Sequence, residues 1–342
     1  MDESPKSEVR RPLFGRRRVV GDGLATMLAA AVVPSFLQPF VSVRPADPTP
    51  TPEPSPTPGD GALQGKTLKL RHAVSPDQID ARFRPFIGEK LVYDVNFMGL
   101  IRAARVEVTL KQGIGEEIIS ELEAKATGMV SWASKTKRQT MKTRLRIMDA
   151  GGGKTRLVPL SFSRESERPD RKYRSLQQFD YRRGYWYVTI EINGKRKSRK
   201  RKKIPPGVYY EDFVGFAYNL RAGVYGPLNP GDVIKIEGIP YKDITSYTIR
   251  VATPKEWDDE AKWVGDVPGA KKLGLVEIKQ EVFGFKPGLA KVIIDDKSVP
   301  LAAKVADVVS YGDVSSRLVE RKKSCGAPPT REFLHTGRRF EL

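Results

Sequence analysis

The feature that most restricts the fold of this chain is a sustained alternation of apolar and polar residues from Leu68 onward. In KLVYDVNF, the residues Leu91, Tyr93, Val95 and Phe97 fall on one face of an extended segment, and RVEVTL (residues 105–110) repeats the pattern. A period of two is that of a half-buried strand. About a dozen such segments are separated by short links rich in Gly, Pro, Asn or Asp. The chain is therefore expected to be mainly β.

Helical periodicity is clear in one place, EDFVGFAYNLRAG (residues 211–223). Asp212 can cap this helix and Gly223 can supply a left-handed exit. Its apolar stripe is Phe213, Phe216, Ala217 and Leu220. So many strands with so few crossover helices exclude a doubly wound fold. The predicted architecture is a long curved antiparallel sheet, barrel-like or half-barrel, with one short helix packed on it.

The interior of such a sheet is either packed or hollow. A hollow sheet can enclose an apolar ligand such as a lipid, whereas small barrels are usually filled by their own side chains. Both readings of the interior stay open on the residues alone.

Residues 1–44 have the composition of an export signal or an N-terminal anchor. An Arg-rich polar start precedes a weakly apolar run that ends at Pro34, and the uncharged part of that run, residues 24–33, is too short to cross a bilayer as a helix. Arg16 and Arg17, followed by apolar residues two positions later, resemble a twin-arginine signal. Either the signal is cleaved or it stays as an anchor; the alternative is a disordered basic tail.

Residues 45–65 form a linker rich in Pro and Thr, with proline at every second position from Pro48 to Pro58. Each proline removes a hydrogen-bond donor, so this segment is expected to stay extended as a spacer. The predicted β-rich domain spans 66–320, and 321–342 is predicted to be a basic flexible tail. Signal and spacer together predict an exported protein of a bacterial periplasm or cell envelope.

The formal net charge of +19 predicts attraction to polyanions. Cys325 is the single cysteine and His72 and His335 are the two histidines, so no disulfide within the chain and no cysteine or histidine metal cluster is expected. No cofactor and no metal site is predicted.

A basic stretch follows the strand YWYVTIEI, residues 185–192. Eight of the nine residues from Lys195 to Lys203 are Lys or Arg: Lys195, Arg196, Lys197, Arg199, Lys200, Arg201, Lys202 and Lys203. The dipeptide Asn193-Gly194 predicts a two-residue hairpin turn. A regular register would pair Ile192 with Lys195, Ile190 with Lys197, Val188 with Arg199 and Trp186 with Arg201, and on the other face Glu191 with Arg196 and Tyr187 with Lys200. Because buried cations are costly, the returning strand is predicted at an edge of the sheet.

Two roles fit this basic strand. Charged edges keep a sheet from pairing with its neighbours, and clustered cations bind anions. In an exported protein the anionic partners are phospholipid head groups or acidic envelope polymers, with the eight cations as the candidate binding residues. The alternative is a nucleic-acid-binding protein that uses the basic hairpin 191–204.

No catalytic residue is predicted. Two acidic pairs, Glu211–Asp212 and Asp295–Asp296, have the composition of paired glycosidase carboxylates, but the first falls where a helix cap belongs and the second in a turn before Pro300. Cys325 follows two lysines that would lower its pKa. Since it falls in the tail, it is not assigned a role.

Three stretches, residues 87–110, 209–236 and 291–318, resemble the bacterial exported family of domain of unknown function 3108. The resemblance spans roughly Phe86 to Leu318, and it rests on Gly88, Glu89, Tyr93, Gly99, Asp212, Arg221, Asp295, Asp296, Pro300, Gly312 and Leu318. It implies an exported β-rich envelope protein, similar in shape to periplasmic lipoprotein carriers, with no established activity. The chain departs from the pattern at Ala104, where the family often has glycine, and this is expected to reduce the bend there.

Overall fold

The computed structural model describes residues 80–323 except for residues 98–100, 128–137, 150–154, 169–170, 242–243, 279–287 and 309–311. The predicted export signal, the linker and His72 lie outside the described residues, as do Cys325 and His335.

The alternating sequence forms a single sheet of fourteen strands, all antiparallel to their neighbours. They are β1 (Glu89–Phe97), β2 (Ile101–Gln112), β3 (Glu117–Ala126), β4 (Arg138–Asp149), β5 (Thr155–Glu167), β6 (Lys172–Asp180), β7 (Tyr185–Ile192), β8 (Lys195–Lys203), β9 (Val233–Tyr241), β10 (Ile244–Val251), β11 (Lys272–Ile278), β12 (Gly288–Ile294), β13 (Pro300–Val308) and β14 (Gly312–Lys323). The prediction of a mainly β chain with a long antiparallel sheet is confirmed.

The strand order shows that the sheet consists of two meanders. One runs from β1 to β8 and the other from β9 to β14, and they join where β1 pairs with β14, which leaves β8 and β9 as the two edges. The predicted start of the basic tail at residue 321 is wrong, because Arg321–Lys323 still pair with Glu89–Leu91 inside β14. The tail boundary is therefore three residues too early.

Buried side chains on the inner face of the sheet form one large core. Of the fourteen strands, all fully or partly described, β8 is the one that contributes no residue to this core. At Ala104 the second strand carries a bulge, since Val95 faces Ala104 while Asn96 faces Arg102. Ala103 is the extra residue of this bulge, and a bulge bends a strand without requiring a glycine.

The helix α1 (Phe213–Arg221) begins and ends as predicted. The Asp212 side chain accepts a hydrogen bond from the Gly215 amide, and Gly223 has a φ of 73°. The predicted stripe is only partly right, because Phe213, Ala217 and Leu220 are half-buried. The buried residues of the helix are Val214, Gly215, Phe216, Tyr218 and Asn219.

Contacts of α1 reach strands of both meanders, which shows that the sheet curves around the helix. The side-chain oxygen of Asn219 accepts a hydrogen bond of 2.7 Å from the Leu157 amide in β5. On the other side, the ring of Phe213 lies edge-on to Tyr247 of β10 at 5.2 Å between centroids. The helix therefore fills one end of the curved sheet, which we call the helix end.

A buried ion pair fixes the last turn of α1 to the centre of the sheet. Arg221 Nη2 donates to Glu89 Oε1 at 2.9 Å, and both side chains are almost fully buried, at 1% and 4% exposure. Arg321 donates to the same carboxylate oxygen at 2.9 Å. The Arg221 guanidinium also lies 4.4 Å from the ring centroid of Phe86. We call Glu89, Arg221 and Arg321 the β1–α1–β14 clamp.

Two short helices that the sequence analysis missed lie on the outer face of the sheet: α2 (Pro254–Asp259) and α3 (Ala261–Gly265). Trp257 and Trp263 pack on Leu273, Leu275 and Ile293 in a second, smaller core. Thr253 and Glu256 form a capping box at the start of α2. The prediction of a single short helix is therefore incomplete.

Replacing Arg221 by Met should lower the free energy of unfolding by about 3–5 kcal/mol, because it leaves the Glu89 carboxylate buried without its main partner. Urea unfolding of the purified protein measures this. The matched control is Lys90→Met, which removes the exposed Lys90–Glu107 pair, with exposures of 39% and 31%, and should cost about 0–1 kcal/mol. Equal losses in the two variants would contradict the role of the clamp.

Candidate functional site

The predicted basic hairpin is present as β7 and β8. Asn193 and Gly194 connect the two strands with φ values of 51° and 74°. Positive φ at both central residues is the requirement of a type I′ turn, which Asn-Gly meets at low cost. The turn is therefore set by local chemistry that the sequence displays.

The register of the hairpin matches the prediction only next to the turn. Ile192 faces Lys195 and Glu191 faces Arg196, but a bulge follows and Ile190 faces Ser198. Lys197 is the extra residue, so every later predicted pair is wrong by one position. The observed pairs are Thr189 with Arg199, Val188 with Lys200, Tyr187 with Arg201, Trp186 with Lys202 and Tyr185 with Lys203.

The basic strand lies at an edge of the sheet, as predicted. β8 pairs with β7 alone and ends the strand order. All eight of its cationic residues are exposed, and Ser198 is half-buried. An edge accommodates this composition because the charges stay in water.

Three of the cations lie over aromatic rings of β7. The Arg201 guanidinium is 4.8 Å from the Tyr185 ring centroid, the Arg199 guanidinium is 5.6 Å from that of Tyr187, and Lys202 Nζ is 5.5 Å from that of Trp186. Such contacts hold long cationic side chains in place while their outer edges remain available.

Seven of the eight cations of β8 form no ion pair with a carboxylate among the residues that the structure describes: Lys195, Arg196, Lys197, Arg199, Lys200, Arg201 and Lys203. The nearest acidic residue of the neighbouring strand, Glu191, instead pairs with Arg174 of β6 at 3.5 Å. β8 therefore presents uncompensated positive charge.

A groove of about 560 Å³ on the same half of the sheet has the opposite character. Its lining combines cations and carboxylates of β3 to β7. Arg174 lies between two of these carboxylates, with Nε 3.1 Å from Glu165 Oε1 and Nη1 3.5 Å from Glu191 Oε2. The charges of this groove are largely compensated within the protein. The groove is thus a weaker candidate for binding a charged ligand than β8.

The first acidic pair lies at the start of α1 with its carboxylates already engaged. Glu211 Oε1 accepts a hydrogen bond from Arg156 Nη1 at 2.8 Å, and its other oxygen accepts one from Asn219 Nδ2 at 3.2 Å. Asp212 caps the helix and accepts a hydrogen bond from the Ser120 hydroxyl at 3.4 Å. Burial raises the pKa of both carboxyl groups above their ordinary values.

The second acidic pair organises a turn. Asp295 Oδ1 accepts hydrogen bonds from the amides of Lys297 and Val299 at 2.9 and 2.7 Å, and Asp296 is exposed. In the described part of the chain, no group of three or more His, Cys, Asp or Glu side chains is placed to hold a metal ion. Across those same residues, no helix combines the length and apolarity needed to span a bilayer.

Several residues that carry the sequence resemblance meet at the helix end. Glu89 and Arg221 form the buried ion pair, and the Tyr93 hydroxyl donates to the Pro300 carbonyl at 3.1 Å. Gly88 has a φ of 84°. These marks therefore hold the two meanders and the helix together. Sequence reasoning noted the residues but gave no signal that they touch, because they are far apart along the chain.

Comparison with known proteins gives a weak structural similarity only. No family model matches the chain and no curated protein matches it. Among solved structures it is similar to the crystal structure of a β-barrel-like protein of domain of unknown function DUF1849 from Brucella abortus, with 11% sequence identity and a TM-score of 0.36. The similarity covers 70% of this chain and 99% of the other. At these values it carries no argument about function.

The variant Asp212→Asn should gain stability relative to the wild type as pH rises. Because the native pKa of Asp212 is raised, the unfolded chain loses this proton first, and stability falls from near the ordinary value of 3.8 upward through the native pKa. Asparagine keeps the cap without this charge. Urea unfolding of both proteins between about pH 4 and pH 8 measures the difference. A difference that does not change with pH would contradict the burial of a charge at this position.

Proposed function

We propose that the protein is an exported cell-envelope protein that binds an anionic component of the envelope through β8 and does not act as an enzyme. The observation that carries this proposal is a set of seven exposed cations that have no carboxylate partner in the described part of the chain, on a strand that contributes nothing to the core. Since β8 is not needed to fill the inner face, its composition is free to serve binding.

The positions of the cations favour binding of an anionic ligand over a role as solvated surface charges alone. Tyr185 and Tyr187 hold Arg201 and Arg199 against the sheet, which reduces the entropy that these side chains lose when they engage a ligand. Arginine also matches carboxylate and phosphate groups with paired donors. An anionic partner therefore meets donors that are already in position.

The compartment is inferred from the front of the chain. The Arg-rich start, the short apolar run and the Pro/Thr-rich spacer fit export of the β-rich domain. The sequence resemblance to the exported family of domain of unknown function 3108 implies the same compartment, although no family model matches the chain. In the envelope, anionic polymers, lipids and proteins are the available partners.

Replacing Lys195, Lys197, Lys200 and Lys203 by Ser should weaken binding of the purified protein to bacterial envelope fragments at least about tenfold, since each cation near an anionic surface contributes about 1 kcal/mol. Co-sedimentation at low salt measures binding. The melting temperature should stay nearly unchanged, because these residues are exposed.

A matched control replaces by Ser four exposed lysines elsewhere on α2, α3 and in turns: Lys255, Lys262, Lys271 and Lys297. It has the same net charge as the β8 variant and should bind nearly as the wild type does. If both variants lose binding equally, net charge rather than β8 is responsible and the site is wrong.

A reporter fused after residue 65 should leave the cytoplasm in bacterial cells, because residues 1–65 contain the proposed signal and spacer. Cell fractionation followed by immunoblotting of an epitope-tagged reporter measures this, because it detects export by either route. Replacing Arg16 and Arg17 by Lys tests the twin-arginine route. Full retention in the cytoplasm would favour the nucleic-acid alternative over the envelope.

A further inference from the structure

The outer edge of β8 carries backbone groups that no described strand pairs with. In an antiparallel strand every second residue points its N–H and C=O to the same side, so about half of the groups of residues 195–203 face away from β7. No described backbone group on that side bonds to them. This edge therefore has both donors and acceptors to offer.

The other edge strand, β9, is partly covered by the segment that follows β8. After β8, the Ile204 amide donates to the Gly184 carbonyl at 2.8 Å and the chain crosses to β9. There the Glu211 amide donates a hydrogen bond of 2.7 Å to the backbone carbonyl of Glu237. The Glu211 carbonyl accepts one of 3.0 Å from the Ile239 amide. The crossing segment thus covers part of β9 and leaves β8 open.

Charge decides what can lie beside β8. A second copy of this strand would bring cations against cations, so self-pairing is disfavoured. An extended acidic segment has side chains at the same repeat of about 6.6–6.8 Å on each face. If every second residue of that segment is acidic, its carboxylates lie on one face, opposite Arg199, Arg201 and Lys203.

The edge carbonyls favour a polypeptide over other polyanions. The free carbonyl groups of the edge need hydrogen-bond donors. The phosphate groups of lipids, polyphosphates and nucleic acids offer only acceptors, whereas a peptide backbone supplies N–H donors for these carbonyls. The bulge at Lys197 interrupts the regular strand near the turn. The regular part, residues 198–203, is long enough for six-residue pairing.

We propose that an extended acidic segment of a partner polypeptide adds to β8 as a fifteenth strand along residues 198–203. This inference rests on the proposed function and names the anionic component that β8 binds. Main-chain hydrogen bonds supply the pairing, and alternating carboxylates select the partner through the cations of β8.

The probe is a fluorescent eight-residue peptide in which Glu alternates with Thr or Val, titrated against the full-length protein. The matched probe has the same sequence with every backbone nitrogen methylated, so that its charge is kept and its donors are lost. Fluorescence anisotropy should show at least tenfold weaker binding of the methylated peptide. Arg199→Ser with Arg201→Ser should weaken the unmodified peptide by a similar factor.

Hydrogen exchange of the protein is a second measurement. Binding through charge alone would not slow the exchange of the edge amides. Amides of residues 198–203 that face away from β7 should exchange at least tenfold more slowly with the unmodified peptide at saturation, and at an unchanged rate with the methylated one. This measurement uses the wild-type protein, so it does not depend on the folding of a variant.

The possible results separate the two proposals. If both peptides bind equally and no amide is protected, the strand-addition proposal is wrong while charge-based binding stands. If phosphatidylglycerol vesicles or inorganic polyphosphate displace the peptide at lower charge concentration than unlabelled peptide does, the partner is a membrane or a phosphate polymer and the proposal is overturned. If the four-lysine variant keeps full binding to envelope fragments, the proposed function itself fails.

Discussion

The pairing of β1 with β14 is the constraint on which the rest of the structure depends. All other strand pairs join neighbours along the chain, so each meander forms from local hairpins. Among the strand pairs, the β1–β14 ladder alone joins the two meanders, and it brings residues near 90 and near 320 together. The β1–α1–β14 clamp lies at the same junction, where Arg221 and Arg321 share the Glu89 carboxylate. Closing so long a loop is slow, so this junction is expected to form after the hairpins.

Much of the fold follows from short-range patterns that a reader can see in the sequence. Alternation gave the strands, Asn193-Gly194 gave the hairpin turn, and Asp212 with Gly223 gave the limits of α1. The capping box of α2 was also visible, since Thr253, Pro254 and Glu256 form a common helix start. Periodicity does not predict this helix, because the six residues of α2 are too few to show it.

Other features depend on contacts that no local pattern encodes. The extra residue at Lys197 changes which side chains face β7, yet nothing in a run of cations marks one of them as a bulge. The buried side of α1 was misjudged for a related reason. Asn219 is buried because the backbone of β5 hydrogen-bonds its side chain, and the ring of the buried Tyr218 lies 5.0 Å from the Arg221 guanidinium of the clamp. Hydrophobicity alone does not predict either contact.

The contrast between β8 and the adjacent groove explains why the edge strand is the candidate site. In the groove, Arg174 is neutralised by two glutamates of neighbouring strands. On β8, cations replace the apolar residues that would otherwise join the core, and aromatic rings of β7 hold some of them in place. The same surface is thereby protected against self-association and suited to a partner of opposite charge.

The path of β1 also sets the end of the domain at which the preceding chain enters. β1 starts at the helix end, and residue 80 lies there too, since Thr155 at the start of β5 donates to Asp80 at 2.9 Å. The Asn193-Gly194 turn lies at the opposite end, beside the start of β6. There the Asn193 amide donates a hydrogen bond to the backbone carbonyl of Lys172. The chain that precedes residue 80 therefore joins the domain at the helix end, and the tip of the basic hairpin lies at the opposite end of the sheet.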